Sequence, residues 1–267
     1  MKFVGIDIAW SERNPSGVAV IDSDGTLVRA SGALRSNTDI CEFAGLTTGE
    51  DAIVAIDAPL IVKNADKQRP VERQLMQIFG PYDAGPYPAN LSNVAFQPIS
   101  RIQQFVRHLE SLGFTNQPKV QKGQAQRVFL EVFPSPAQVI LFPCVTHNGH
   151  THCRPLRYKH KKGRSWTEVQ CEWDLYRARL RSLQIKEPVL RFSPDVNKTL
   201  SIDASELTGV RYKVLDDLVD GIFCAYLAYY FWYWGEERGW VIGDTESGYV
   251  ALPQCNLPNC RLTLDLG

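Results

Sequence analysis

The sequence lacks an excess of either charge. Its 267 residues carry 29 Lys and Arg against 29 Asp and Glu, so the formal net charge is zero. A protein that binds nucleic acid through a general basic surface has a high isoelectric point, so any such contact here must come from a local patch. Apolar residues make up 44% and charged residues 22%, which is typical of a globular protein with a sizeable core.

Long hydrophobic runs are also absent. The longest, Gly221–Trp234, is shorter than the roughly 20 residues that a membrane-spanning helix requires, so it predicts a buried helix and no membrane partner. The chain starts directly on a strand pattern, without the regions of a signal peptide. We find no internal repeat, low-complexity linker or clean domain boundary, which predicts one α/β domain over residues 1–267 with helical insertions.

Cysteine is scattered and odd in number. The seven cysteines follow no regular spacing, which predicts a chain without a disulfide framework in a reducing, cytoplasmic environment. Two of them flank three histidines in one short segment: Cys144, His147, His150, His152 and Cys153. These are zinc-type ligands, but their spacing matches no regular zinc knuckle, so a polar loop is the competing interpretation.

Alternating or continuous apolar patterns predict strands and helices. Five segments have the pattern of strands: 2–9, 17–22, 26–31, 51–60 and 127–134. Turns separate the first three, which predicts an antiparallel meander. Helical spacing predicts helices in the segments 37–46, 69–79, 99–114, 166–183 and 212–234. A strand pair, 240–243 and 249–253, is predicted after the last helix.

Three of the predicted strands carry a single acid within or at the end of an apolar run: Asp7, Asp57 and Glu131. Burying an unpaired carboxylate is costly, so each needs a partner. Taken singly, an acid at a strand end is most often a cap or a turn acceptor, and Glu131 is suited to pairing with an arginine or lysine. Asp7 and Asp57, however, interrupt strong apolar strands, and carboxylates that converge in a core repel unless a cation joins them.

The last predicted helix adds acids near its N-terminal end. Asp217 and Asp220 are three residues apart and share a helix face. Asp216, four residues from Asp220, shares it too, so spacing does not choose between Asp216 and Asp217. Acids at a helix start also complement the helix dipole, which is the structural alternative. Together with Asp7 and Asp57 they form an oxygen-only set of the kind that Mg²⁺ or Mn²⁺ prefers.

An ordered set of motifs resembles one protein family. The motifs, in chain order, are FVGIDIAW, VAIDAPL, RPVERQL, PYPAN, EVFPSP, RYK and DDLVDGIFCAY. Over nearly the whole chain they resemble the domain of unknown function family 429, described as predicted nucleases with a ribonuclease H-like fold. The resemblance implies a five-stranded mixed sheet in the order 3-2-1-4-5, flanked by helices, with insertions around 61–125 and 143–211.

The same resemblance implies roles for the acids. Strands one and four are neighbours in that order, which brings Asp7 and Asp57 together near the start of the last helix. By similarity to the Asp-x-x-Asp ending of Holliday-junction resolvases, Asp220 is the stronger metal ligand and Asp217 the second. The implied function is a metal-dependent nuclease or phosphodiesterase in which these four aspartates bind Mg²⁺ or Mn²⁺. Glu131 is a further candidate catalytic residue, ranked below these four because it matches no standard ligand of that superfamily. It is expected to orient a neighbouring group or to hold a basic residue.

Basic residues supply candidates for substrate binding. The stretch RPLRYKHKKGR is predicted to follow a phosphate backbone, with Lys159 beside Tyr158 in a segment that resembles a family motif. A solvated loop is the alternative. Arg69 and Arg73 lie about one turn apart on a predicted helix. They are expected to line the mouth of the site, or to form an ordinary surface ion pair.

Two other functions remain open. Sugar kinases, heat-shock proteins and actin also begin with Gly-Ile-Asp, but a glycine-containing phosphate turn follows. Here the nearest glycine after Asp7 is Gly17, and GxxxxGK[ST] is absent, which disfavours nucleotide phosphotransfer. A non-catalytic nucleic-acid-binding module is the third hypothesis. The retained acids argue against it, whereas the neutral net charge is compatible with it. Aromatic residues along the last helix predict core packing or a homodimer interface.

Overall fold

The chain forms eleven β-strands and seven α-helices within residues 1–11, 13–147, 150–207 and 209–257, the part that the computed structural model describes. The strands are β1 (Lys2–Asp7), β2 (Ser16–Asp22), β3 (Thr26–Leu34), β4 (Ala52–Ile56), β5 (Thr115–Asn116), β6 (Arg127–Glu131), β7 (Val145–His147), β8 (His150–His152), β9 (Arg191–Phe192), β10 (Gly239–Asp244) and β11 (Gly248–Pro253). The helices are α1 (Asn37–Ala44), α2 (Pro70–Phe79), α3 (Arg101–Ser111), α4 (Pro134–Leu141), α5 (Trp166–Ser182), α6 (Pro194–Leu200) and α7 (Gly209–Trp234).

Seven strands form one mixed sheet in the order β5-β6-β4-β1-β2-β3-β9. The predicted meander is present as antiparallel β1, β2 and β3, whereas β4, β6, β5 and β9 join through parallel pairs. The fifth predicted strand is β6, so the predicted neighbour order is found inside this sheet, but the prediction of five strands is wrong. The extra edge strands, β5 and β9, have two residues each and are too short to show an apolar pattern.

The sheet is buried on both faces. Along β1, Phe3 packs into the apolar layer shared with α7, while Val4 and Ile6 pack into a second layer with residues of α1 and α3. This explains the nearly continuous apolar sequence of β1, because a strand covered on both sides has no polar face.

The long helix α7 lies directly against the backbone of the sheet. A Cβ added at Gly5, Gly17 or Gly32 would lie 1.8, 1.7 or 1.7 Å from a backbone atom of α7, so only glycine fits at these points on β1, β2 and β3. Gly17 is the register partner of Asp7 and faces the carbonyl of Asp217. The glycines therefore place the acids of α7 beside the end of β1. No helix in the described ranges is both long and apolar enough to span a membrane.

The segment 143–164 is not simply the polar, solvated loop that was the alternative for its two parts. It contains the β7–β8 hairpin, and Cys144 and Cys153 are joined by a disulfide, so the expectation that these cysteines are unpaired is wrong. The chain then turns inward and buries Leu156 and Tyr158. The disulfide also removes two of the thiolates that the zinc alternative requires.

Candidate active site

A cleft of about 520 Å³ lies at the carboxyl ends of the parallel strands β1, β4 and β6. Asp7 ends β1, Asp57 follows β4 and Glu131 ends β6, and all three line the cleft. Strand ends of this kind are where open α/β sheets place their ligands, because loops diverge there and leave a crevice. The sheet order therefore brings together three acids that are far apart in the sequence.

Asp7 and Asp57 are neighbours across the β1–β4 pair, with the Asp57 amide donating to the Ile6 carbonyl at 2.9 Å. Burial raises the pKa of Asp7 to about 7, against the opposing effect of Lys159 and with a further contribution from Asp220. Burial and the nearby Asp7 carboxylate raise the pKa of Asp57 well above its usual range. Both acids are thus held where the ionised form is disfavoured.

Three acids of α7 lie near Asp7 and are almost fully buried. Asp216, Asp217 and Asp220 are 4%, 3% and 2% exposed. Lys213 forms an ion pair with Asp217 and lies 3.6 Å from Asp216 Oδ2. Burial raises the pKa of Asp216 to about 7 and that of Asp217 to about 6, although Lys159 opposes the first shift and Lys213 the second. Asp216 Oδ1 and Asp217 Oδ2 have no hydrogen-bond partner among the described residues.

Asp220 is held by two consecutive residues of the inward-turning segment. The Tyr158 hydroxyl donates to Asp220 Oδ1, and Lys159 Nζ lies 2.5 Å from Asp220 Oδ2. Tyr158 is fixed in turn by stacking on Tyr176, with ring centroids 4.4 Å apart, and by the Tyr212 hydroxyl, which donates to the Tyr158 carbonyl at 2.5 Å. Tyr158 therefore positions Asp220, in addition to lining the cleft.

Lys159 is the cation shared by the strand acids and the helix acids. Burial acts to lower the pKa of Lys159, but Asp220 and Asp7 outweigh it and raise the pKa well above the usual value. The side chain keeps 38% of its surface exposed and lines the cleft. A protonated lysine at this position can face both the acids and an incoming anion.

Lys213 is a site residue that the sequence analysis missed. It precedes Asp216 and Asp217 by three and four residues, the spacing at which helix side chains meet. The tripeptide Arg-Tyr-Lys also occurs twice, at 157–159 and 211–213, and the lysine of each copy pairs with acids of α7. Either signal could have identified Lys213.

Arg69 belongs to a buried ion-pair network with Glu72 and Glu131. Its guanidinium donates to Glu131 Oε1 at 2.6 Å and Oε2 at 3.0 Å, to Glu72 Oε1 at 2.9 Å and to the Ile61 carbonyl at 3.1 Å. Glu131 also accepts from the Leu60 amide at 2.8 Å. Arg69 is 2% exposed, so the alternative of a surface ion pair is wrong. The carboxylate of Glu131 is fully engaged and holds a basic residue.

Basic side chains also line the cleft. Arg157, Lys161 and Arg164 belong to the segment that carries Lys159, and all three line the cleft. Arg157 pairs with Asp83 at 2.6 Å. Arg73, which was expected at the mouth, is exposed on α2 and does not line the cleft.

The acids offer the donor atoms of a divalent-cation site. Their oxygen-only donors suit Mg²⁺ or Mn²⁺. Three buried carboxylate oxygens, one each of Asp216, Asp217 and Asp220, lack a hydrogen-bond partner within the described chain, although Lys159 forms an ion pair with the third. In the described ranges, however, no three His, Cys, Asp or Glu side chains are arranged as a group that could hold a metal ion. The positive charge at the acids comes from Lys159 and Lys213 instead. The donor atoms are of the type that a hard cation prefers, but in this arrangement of the described residues they hold two lysines and not a metal ion.

Comparison with curated proteins and with solved structures finds no match. A family described as "Protein of unknown function (DUF429)" does match, and its model covers residues 5–246, from β1 to the turn after β10. This range contains all the acids and lysines of the cleft described above. The chain therefore belongs to the family of proteins of unknown function DUF429.

Proposed function

We propose that the protein is a metal-dependent nuclease or phosphodiesterase with a ribonuclease H-like arrangement of acids. The observation that supports this most is the convergence of Asp7 and Asp57 with the acids of α7. Burial raises the pKa values of Asp7, Asp57, Asp216 and Asp217 above their usual range. Acids with such shifts, gathered in a cleft, are typical of functional sites, because a fold gains no stability from them.

The hydrogen bonding of the nearby buried glutamates differs from that of the aspartates, and this difference supports a functional role for the aspartates. Glu131 and Glu72 are also buried, yet every carboxylate oxygen has a hydrogen bond from Arg69 or from a backbone amide. The acids of α7 have only two lysines and a tyrosine to share, and two of their oxygens are unpaired within the described residues. We therefore assign Glu131 a structural role, and the aspartates a role in the proposed reaction.

In the proposed reaction Asp7, Asp57, Asp217 and Asp220 hold Mg²⁺ or Mn²⁺. The ion supplies Lewis acidity and a water of lowered pKa when it is bound. Tyr158 keeps Asp220 oriented through its hydroxyl. Lys159 stays protonated and attracts a phosphate into the cleft. Asp216 shares the face of Asp217 and is the alternative second ligand from α7.

Calorimetric titration with Mn²⁺ tests the proposal. We expect the wild type to bind and Asp7→Asn to bind at least about tenfold more weakly, since one charged ligand is lost. Asp66→Asn is the matched control, because Asp66 is exposed and does not line the cleft. Circular dichroism checks that each variant is folded.

One outcome favours the non-catalytic alternative. The pairing of Lys159 and Lys213 with the acids is what a binding module without metal would also need. If the wild type binds no Mn²⁺ or Mg²⁺, even with an oligonucleotide present, the nuclease proposal is wrong and the acids serve to fix the lysines. Nucleotide phosphotransfer has no comparable support.

A further inference from the structure

Two exposed aromatic side chains line the cleft that holds Asp7 and Asp57: Trp10 and Tyr87. Trp10 is 44% and Tyr87 78% exposed, so both leave apolar surface in contact with solvent. Single exposed apolar residues are ordinary, but apolar surface gathered at one cleft marks a binding site. No other Trp, Tyr or Phe of the described chain is as exposed as these two. The proposed metal chemistry makes no use of either ring.

The backbone of Tyr87 is restricted, and the ring of Trp10 is held by a neighbouring ring. Tyr87 lies between Pro86 and Pro88, which restrict the backbone on each side of it. Trp10 packs edge-on against Phe96, with ring centroids 4.9 Å apart and planes at 63°. A ring that is already ordered loses little conformational entropy when a flat ligand stacks on it.

The cleft combines these rings with charges suited to a phosphate. Lys161 and Arg164 line the same cleft as Asp7 and Asp57. Lys159, which pairs with Asp220, lines it too. A volume of about 520 Å³ is that of a small-ligand pocket. It admits one nucleotide, whereas a duplex keeps its bases stacked inside and cannot present one to the rings.

We propose that the cleft binds an unpaired nucleobase stacked on Trp10 or Tyr87, with its phosphate toward Lys161 and Arg164. The substrate class is then single-stranded nucleic acid or a free nucleotide, and not a duplex. The inference rests on the proposed function for the reaction that follows, but the binding itself requires no metal. Stacking on an aromatic side chain is tolerant of sequence, because every base has a π-face.

Fluorescence anisotropy with a labelled strand of about 12 nucleotides tests the inference. EDTA in the buffer keeps the strand intact, and the same sequence as a duplex and a nucleoside monophosphate competitor are the other two ligands. We expect removal of the stacking ring, by Trp10→Ala or by Tyr87→Ala, to weaken single-strand binding by about 5- to 100-fold, with Tyr87→Phe close to wild type because it keeps the ring. Ile185→Ala is the control, since Ile185 is 88% exposed and does not line the cleft.

The three ligands and the variants distinguish the possible outcomes. A strand that binds far more tightly than the monophosphate identifies single-stranded nucleic acid, and equal affinities identify the nucleotide. Alanine variants that bind like the wild type, or a duplex that binds as well as the strand, would overturn the inference. If Asp7→Asn binds the strand normally while the wild type binds no Mn²⁺, the proposed function fails and the nucleobase site stands. If Mn²⁺ binds and the rings do not matter, only this inference fails.

Discussion

Replacement of Asp7 by asparagine is expected to stabilise the folded protein near neutral pH while it removes a proposed metal ligand. Burial raises the pKa of Asp7 from 3.8 to about 7, even with Lys159 nearby. One pKa unit corresponds to about 1.4 kcal/mol, so the ionised carboxylate lowers the free energy of unfolding by at most about 4 kcal/mol. The side chain keeps some exposure, so we expect a gain of about 1 to 3 kcal/mol in the asparagine variant.

The gain should depend on pH in a defined direction. Because the pKa of Asp7 is higher in the folded protein than in the unfolded chain, the folded protein binds the proton more tightly. The wild type therefore loses stability from this group as the pH rises from about 4 to about 7. The asparagine variant does not lose this stability, because asparagine does not ionise. The difference between the two proteins should be small near pH 4 and largest above pH 7.

Urea unfolding followed by circular dichroism at about pH 4.5 and about pH 8 measures this difference. Asp66→Asn, at an exposed position, is the control and should stay within about 0.5 kcal/mol of the wild type. A variant Asp7→Asn that is less stable than the wild type at the higher pH would refute the reasoning. So would a gain of the same size at both pH values, because it would not come from ionisation.

Two further predictions concern the framework of the site. Arg69→Met leaves two buried carboxylates without their cation and should lower the free energy of unfolding by about 3 to 5 kcal/mol. Arg73→Met, exposed on the same helix, should change it by less than about 0.5 kcal/mol; similar losses in urea unfolding would contradict the buried network. Gly17→Ala places a Cβ 1.7 Å from the Asp217 carbonyl and should lower the melting temperature and abolish Mn²⁺ binding, whereas Gly49→Ala meets nothing within 4 Å. Equal calorimetric behaviour of the two alanine variants would mean that α7 does not rest on β2.

The sequence was sufficient for the elements whose signal is local and strong. β1, β4 and α7 have apolar runs that only a buried element explains, and the acids that interrupt those runs were found because they break the pattern. The acids meet in the structure because the strand order places β1 beside β4 and the glycines of β1 and β2 let α7 approach.

Other features depend on contacts between distant residues and leave no local pattern. Tyr158 lies in a basic stretch that reads as surface, but stacking on Tyr176 and the hydrogen bond to Asp220 bury it. Arg69 and Glu72 have the spacing of a surface ion pair. Only the contact with Glu131, at the end of β6, shows that the arginine is buried. The exposure of Trp10 or Tyr87 likewise cannot be inferred from residue type.

The packing of α7 against glycines of the first three strands also determines when the aspartates can come together during synthesis. Asp7 and Asp57 leave the ribosome early, whereas Asp217 and Asp220 follow only after about four-fifths of the chain. Docking α7 closes a very long loop, and contacts of such sequence separation form slowly. We therefore expect a nascent chain to have its first strands long before the acids of α7 join Asp7 and Asp57, and to be without the proposed phosphodiesterase activity until translation is nearly complete.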